Sequence, residues 1–245
     1  MDNLIITNEN QGVFIITLNR FTKKNALNNS MYHQLCQHLN YASENDNIHC
    51  VLIQGNENCF CAGNDLQDFI ESSTDDELVA VTLIKTLVNF NKPLVAAVAG
   101  PAVGIGTTLL LHCDMVFAAD NSKFKLPFTQ LGLCPEAGSS LLITQLVGHR
   151  KAFELMVLGK TFNAEQASQY GIVNQVCSNS ELLVLAENTA LAIARLPHDA
   201  VLTSKKLLRQ ADKAILEQVI ANEINDFSRL LNSDECKNIL AQFFK

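Results

Sequence analysis

The chain has no tryptophan, only five prolines and three tyrosines, and no CxxC pair among its eight cysteines. Lysine and arginine number 18 against 25 acidic residues, for a formal charge of −7, and no basic run stands out. An acidic chain without a basic patch lacks the electrostatic footprint of a nucleic-acid binder, so that class is set aside. Only Cys59 and Cys61 lie close together; scattered cysteines point to reduced thiols in a cytoplasmic setting rather than a disulfide framework. The histidines at 33, 38, 49, 112, 149 and 198 show no metal-ligand spacing, and no metal site is expected. The opening "MDNLIITNEN" is unlike a secretory or mitochondrial leader, and the closing "QFFK" matches no common address signal. Charged residues are also scarce, at 18% against 48% apolar, which over 245 residues allows a sizeable core.

Residues 94–111, "LVAAVAGPAVGIGTTLLL", carry no charge and approach the length of a membrane span. The "AGPAVGIG" segment would break a helix in its middle, and Asp114 follows closely. A buried strand, a tight loop and a buried helix are predicted instead, and no membrane partner is expected.

Elsewhere the patterning alternates. "LIITNENQGVFIITLNR" reads as two strands around the turn "ENQG". In "NSMYHQLCQHLNYASEN", Met31, Leu35, Leu39 and Ala42 share a helical face, with Ser30 as predicted N-cap. "CVLIQG", "PLVAAVAG" and "MVFAAD" are buried strands; "ELVAVTLIKTLVNF", "GTTLLLHC" and "SSLLITQLVG" are helices, followed by "KAFELMVLG", "NAEQASQYG" and "SELLVLAENTALAIARL". Near-continuous apolar strands alternating with helices predict an α/β fold. From Pro197 onward only helical patterns occur, so residues 1–196 are expected to form a core and 197–245 a C-terminal helical region.

Two loops draw the chemical reading. "GPAVGIGTT" places Gly104 and Gly106 as in a dinucleotide fingerprint, but Leu109 stands where the last glycine belongs, and Thr107 where a P-loop has lysine. Its glycines still allow main chain to approach a ligand at a helix start. "FCAGNDL" offers a second small-residue turn after a strand. Two such turns could aim two N–H donors at one oxygen, the geometry of an oxyanion hole. In "GLCPEAGSS", Glu136 is a carboxylate without a local counter-charge: no lysine or arginine lies between Lys125 and Arg150. Read alone, it is either a surface loop residue or an acid–base group.

Together, "ITLNRFTKKNAL", "FCAGNDL", "AGPAVGIGTTLLLHCD" and "LGLCPEAGSS" resemble the four landmark segments of the crotonase (enoyl-CoA hydratase/isomerase) superfamily, in order and across essentially the whole chain. The resemblance implies a spiral of ββα repeats with a C-terminal helical trimerisation region. It also implies an acyl-CoA thioester substrate and a homotrimer, or a hexamer built from two trimers. The N–H groups of Asn64 and Ile105 would hold the thioester oxygen. Ala62, Gly63, Asn64, Asp65, Leu66 and Gly104 would lie along the ligand, and Lys23, Lys24 and Ala26 in the segment that meets CoA phosphates and adenine. The two lysines could equally be solvated, and Asp65 could equally cap the next segment. Phe69, Leu83, Phe128 and Leu133 are candidates for the acyl pocket.

Family hydratases use two glutamates, and Thr108 and Phe128 stand at those places, so little hydration is expected. Glu136 matches the acid of the peroxisomal-type Δ3,Δ2-enoyl-CoA isomerases, a place also acidic in isomerases of ring-opened phenylacetyl-CoA. The implied activity is a Δ3-to-Δ2 shift by C2-to-C4 proton transfer in fatty-acid β-oxidation, with no cofactor beyond the CoA of the substrate. An isomerase of cyclic or aromatic acyl-CoA, or a non-catalytic acyl-CoA-binding module, is the competing reading. His112 reads as a satisfied interior histidine, and Asp114 and Asp120 as caps or turn residues.

Overall fold

A computed structural model describes residues 3–71 and 79–242. Strands β1 (Ile5–Asn10) and β2 (Val13–Leu18) pair antiparallel around the two-residue turn Gln11–Gly12. Then come α1 (Asn29–Glu44), β3 (Cys50–Gln54), α2 (Leu66–Glu71), α3 (Val79–Asn89), β4 (Leu94–Val98), β5 (Pro101–Val103) and α4 (Ile105–Thr108), which a 3-10 turn extends through Leu109–His112. After β6 (Met115–Ala119) and β7 (Lys123–Lys125) the chain forms α5 (Ser139–Val147), α6 (His149–Met156), β8 (Phe162–Asn163), α7 (Ala164–Gln169) and β9 (Gln175–Cys177). Helices α8 (Asn179–Ala194), α9 (His198–Gln210), α10 (Lys213–Leu231) and α11 (Asp234–Ala241) follow.

The larger sheet runs β1-β2-β3-β4-β6-β9, parallel from β2 onward, and the smaller runs β5-β7-β8. Each turn of the spiral feeds both sheets. β4 passes to β5, β6 to β7, and the strand-like Cys61 that follows β3 bridges Ala102 of β5. This is the α/β spiral of strand–strand–helix units that the sequence landmarks imply.

Strand periodicity divides the apolar residues between the two faces of the large sheet. Val13, Ile15, Leu52, Val95 and Ala97 face α8, whose Ala186, Ala190 and Ala194 recur every fourth residue and let the helix lie close. Phe14, Ile16, Val51, Ile53, Ala96 and Val98 face the main core with α1, α3 and the smaller sheet. Both faces are covered, which is why these strands read as continuous apolar runs. Residues 94–111 divide into β4, β5 and the α4 turn, and no helix among the described residues is long and apolar enough to cross a membrane.

The structure corrects or adds to the local expectations in several places. Asn28 rather than Ser30 caps α1: its backbone is extended and its Oδ1 accepts the Met31 N–H at 2.9 Å, whereas Ser30 already lies inside the first turn. Glu77 and Leu78, expected to start the second helix, lie outside the described residues. Asp114 accepts the Leu94 N–H and pairs with Lys205 at 2.7 Å and Arg209 at 3.3 Å, so it pins α9 to the start of β4. The inward stripe of α10 runs through Leu216, Ile220 and Phe227, while Ile215 faces outward. Ile220, Phe227, Cys236 and Leu240 belong to the main core, so α10 and α11 are built into it.

Candidate active site

The two small-residue turns lie side by side because Cys61 is hydrogen-bonded into β5, donating its N–H to the Pro101 carbonyl at 3.1 Å and accepting from Val103 at 2.9 Å. Close approach continues at Gly106, where a Cβ would stand 2.5 Å from the Cys61 carbonyl oxygen. Gly104 has φ 53° and ψ −121°, a conformation that suits glycine, and a Cβ there would meet nothing within 4 Å. The reason is a pocket of about 290 Å³, whose lining includes Ala62, Gly63, Asn64, Leu66, Gly104 and Ile105. Flanking N–H groups are engaged: Asp65 donates to Leu27 and Gly104 to Lys125, each at 2.9 Å. Among the described residues, no protein group accepts from the main-chain N–H of Asn64 or of Ile105. For Ile105 the cause is its place at the first position of α4, where helix geometry provides no partner.

Glu136 lies in the loop before α5 and is 7% exposed. The Thr108 hydroxyl donates to its Oε1 at 2.7 Å. Burial pushes the Glu136 pKa up to about 7; the Thr108 bond works against that rise and the nearby Glu223 carboxylate adds to it. The carboxyl faces a cavity of about 20 Å³, room for roughly one water, lined also by Asn64, Ala80, Val81, Ile84, Ile224 and Phe227. Asn64 and Phe227 line both spaces, so the acid adjoins the pocket that holds the two donors. The next residue, Ala137, has φ 59°, and its carbonyl accepts from His112 Nε2 at 2.8 Å. Burial drives the His112 pKa down to about 4, so a neutral imidazole with its proton on Nε2 holds this strained peptide.

The remaining expected residues sit at the rim or behind it. Lys23 and Lys24 are exposed, and the Lys24 carbonyl accepts the Ala62 N–H at 3.0 Å, which fixes their loop to the edge of the pocket. Ala26 is half-buried and its carbonyl accepts from Arg20. Asp65 is absent from the pocket lining; its carboxylate takes Arg20 at 2.5 Å and the Gln67 N–H at 3.0 Å, at the start of α2. Burial works to raise its pKa, yet these bonds bring it below the ordinary value. Phe128 and Leu133 line the pocket, Leu83 is buried in the main core and absent from the lining, and the side chain of Phe69 lies outside the described residues.

Three side chains that the sequence reading passed over shape the site. Asn25, fully buried, donates to the carbonyls of Cys59 and Phe60 at 3.1 Å each and ties the lysine loop to the "CAGN" turn. The buried Tyr32 hydroxyl donates to Asn64 Oδ1. Glu223 of α10 accepts from Gly138 and Ser140. Glu223 had a readable signal, a carboxylate on the apolar stripe of Ile220 and Phe227; Asn25 and Tyr32 had none.

The Enoyl-CoA hydratase/isomerase family model matches residues 8–245, so the chain belongs to that family. Enoyl-CoA delta isomerase 2 of Homo sapiens is 35% identical over 99% of the chain, which spans 63% of that relative's length. The 2,3-dehydroadipyl-CoA hydratase of Escherichia coli K12 is 34% identical over 100% of the chain and 96% of its own length. The 1,2-epoxyphenylacetyl-CoA isomerase of the same organism is 33% identical over 94% of the chain and 90% of its own. A solved structure of Pseudomonas aeruginosa OdaA superposes with a TM-score of 0.95 at 41% identity, covering 99% of each chain.

Proposed function

We propose that this chain moves a double bond of an enoyl-CoA from Δ3 to Δ2. The observation that carries the reading is one buried carboxylate, Glu136, with its pKa pushed up to about 7, beside a pocket edged by the uncommitted N–H groups of Asn64 and Ile105. The C2 protons of a 3-enoyl thioester are acidified by both the carbonyl and the alkene. Glu136 removes one, the two N–H groups take up the charge developing on the thioester oxygen, and the same carboxyl returns the proton to C4. A pKa near neutrality suits a group that must both accept and donate. Ala62, Gly63 and Leu66 would flank the thioester and pantetheine, with Lys23, Lys24 and Ala26 towards the nucleotide. The chemistry is proton transfer alone and calls for no further cofactor.

Hydration of a 2-enoyl-CoA asks for two carboxylates around one water. Thr108 and Phe128 stand at the places of those two carboxylates, and Thr108 instead donates to Glu136. The similarity to 1,2-epoxyphenylacetyl-CoA isomerase favours, as a second reading, an isomerase of ring-opened or cyclic aromatic acyl-CoA using the same acid. Turnover of purified protein on 3-enoyl-CoAs of increasing length, on ring-opened aromatic acyl-CoAs and on crotonyl-CoA separates these. Conversion of 3-enoyl-CoA with little 3-hydroxyacyl product is the expected result. Robust hydration would overturn it, and CoA binding with no turnover of any substrate would leave a non-catalytic acyl-CoA-binding module.

A further inference from the structure

Helix α5 begins without a cap of its own. Its N-cap residue is Gly138, which has no side chain to satisfy the first-turn N–H groups. The missing acceptor comes from α10. Glu223, 8% exposed, accepts the Gly138 N–H at 2.6 Å on Oε2, and the Ser140 N–H at 3.0 Å together with the Ser140 hydroxyl on Oε1. Three donors and no acceptor meet this carboxyl and favour its ionised form, while burial works the other way and leaves its pKa above the ordinary value. The segment it grips starts at Gly138, two residues after Glu136, and Gly138 at φ 73° together with the intervening Ala137 at φ 59° makes two consecutive left-handed residues. Alanine tolerates that conformation poorly, so it persists only where neighbours enforce it. His112 enforces it at the Ala137 carbonyl and Glu223 at the Gly138 amide.

We propose that Glu223 is a positioning residue for Glu136: by capping α5 from α10 it fixes the Ala137–Gly138 turn that aims the Glu136 carboxyl at Thr108 and the pocket. The inference rests on Glu136 being the acid–base group of the proposed reaction. Glu223 acts on charge as well as on geometry. The groups facing Glu136 are Thr108, Tyr32, Cys61 and Glu223, with His112 across the Ala137 carbonyl. Those around Glu223 are Ser140, Cys134, Asp226 and Arg229, so Glu223 is the carboxylate that raises the proton affinity of Glu136.

The test compares the full-length protein with Glu223→Gln and Glu223→Asp. Gln keeps the shape but turns an N–H donor towards Gly138 or Ser140 and removes the charge. It is expected to lower kcat on a 3-enoyl-CoA by about 10–100-fold with KM within about threefold. It should also move the acid limb of the kcat/KM profile to lower pH, because the like charge that held the proton on Glu136 is gone. Asp retains the charge but is one methylene shorter. Its kcat should fall at least threefold while the limb stays near that of the wild type. A folded Glu223→Gln with wild-type kcat and an unmoved limb overturns the proposal. Should Gln not fold, a Glu223→Asp with unchanged kcat overturns it equally. A pH titration of the ¹³C-labelled Glu136 carboxyl needs no turnover, so it separates failure of this proposal from failure of the functional reading. Its midpoint should fall in Glu223→Gln, and an unmoved midpoint refutes the charge coupling whether or not the wild type isomerises anything.

Discussion

Ionising Glu136 works against its surroundings, and this sets both activity and stability. As the base of the proposed reaction it must be deprotonated, so kcat/KM is expected to fall as pH drops through about 7. Glu136→Gln keeps size and polarity but cannot take the C2 proton; kcat should fall about 10²–10⁴-fold with KM little changed, checked by steady-state isomerisation. The stability effect has the opposite sense. The folded-state pKa of about 7 exceeds the ordinary 4.5, so the folded chain binds this proton more tightly than the unfolded one. The stability so gained is full below pH 4.5 and is lost as pH rises through 7. At 1.36 kcal/mol per pH unit the loss is about 3 kcal/mol. Glu136→Gln, always neutral, should therefore melt above the wild type at pH 8 and converge with it near pH 4.5; a lower Tm at pH 8 would contradict this. Thr108→Val deletes the hydroxyl that favours the ionised form, so its acid limb should move to higher pH. At this scale Glu136 stood out as an acid without a local counter-charge, but read alone it was equally a surface loop residue; the landmark segments made it a candidate, and its burial shows only in the structure. Asn25 and Tyr32 were not legible, because their roles exist only once residues 32 or more apart meet.

Among the elements, the long buried strands and helices announce themselves by period. β5, β7, β8 and β9 have two or three residues each, too few to show one. Their pairing is decided a full turn of the spiral away, as Ala102 with Phe124 and Phe124 with Phe162 show. The packing of α10 was equally hidden, because residues such as Ile215 extend its apolar pattern beyond the face that is buried. Gly138 marks where that face lands: a Cβ there would sit 2.4 Å from Leu216 Cδ1, at a φ already unsuited to alanine. Gly138→Ala should destabilise by about 1–3 kcal/mol and lower kcat by shifting Glu136, read from thermal melts and turnover together. Deleting 197–245 removes Phe227 and Ile224 from the lining beside Glu136 and uncovers apolar core. An inactive, aggregating product is expected, and a monodisperse active one would show that α9–α11 are dispensable.

Over the whole molecule, the outer surface of α9 and α10 presents Leu207, Leu208 and Ile215, with Leu196 just before them. Leu196 and Leu208 also line a groove of about 600 Å³ that includes Leu111 and Ile193. We propose these exposed apolar side chains as a contact surface, and a homotrimer, or two trimers as a hexamer, is expected by light scattering; Leu208→Glu should shift the mass downward, and a wild-type monomer at micromolar concentration would contradict the assembly. The alternation of strands and helices made the α/β class legible, and the landmark segments the spiral, but the surface residues carry no period that names their partner. The cap that α10 places on α5 also has a meaning in time. Gly138 and Glu223 are 85 positions apart, several seconds of translation at ribosomal rates of about 5–20 residues per second. Throughout that interval the nascent chain holds both N–H turns, Glu136 and His112, yet its acid loop lacks the clasp from α10. The residue proposed to fix the acid loop is thus among the last parts of the candidate site to leave the ribosome.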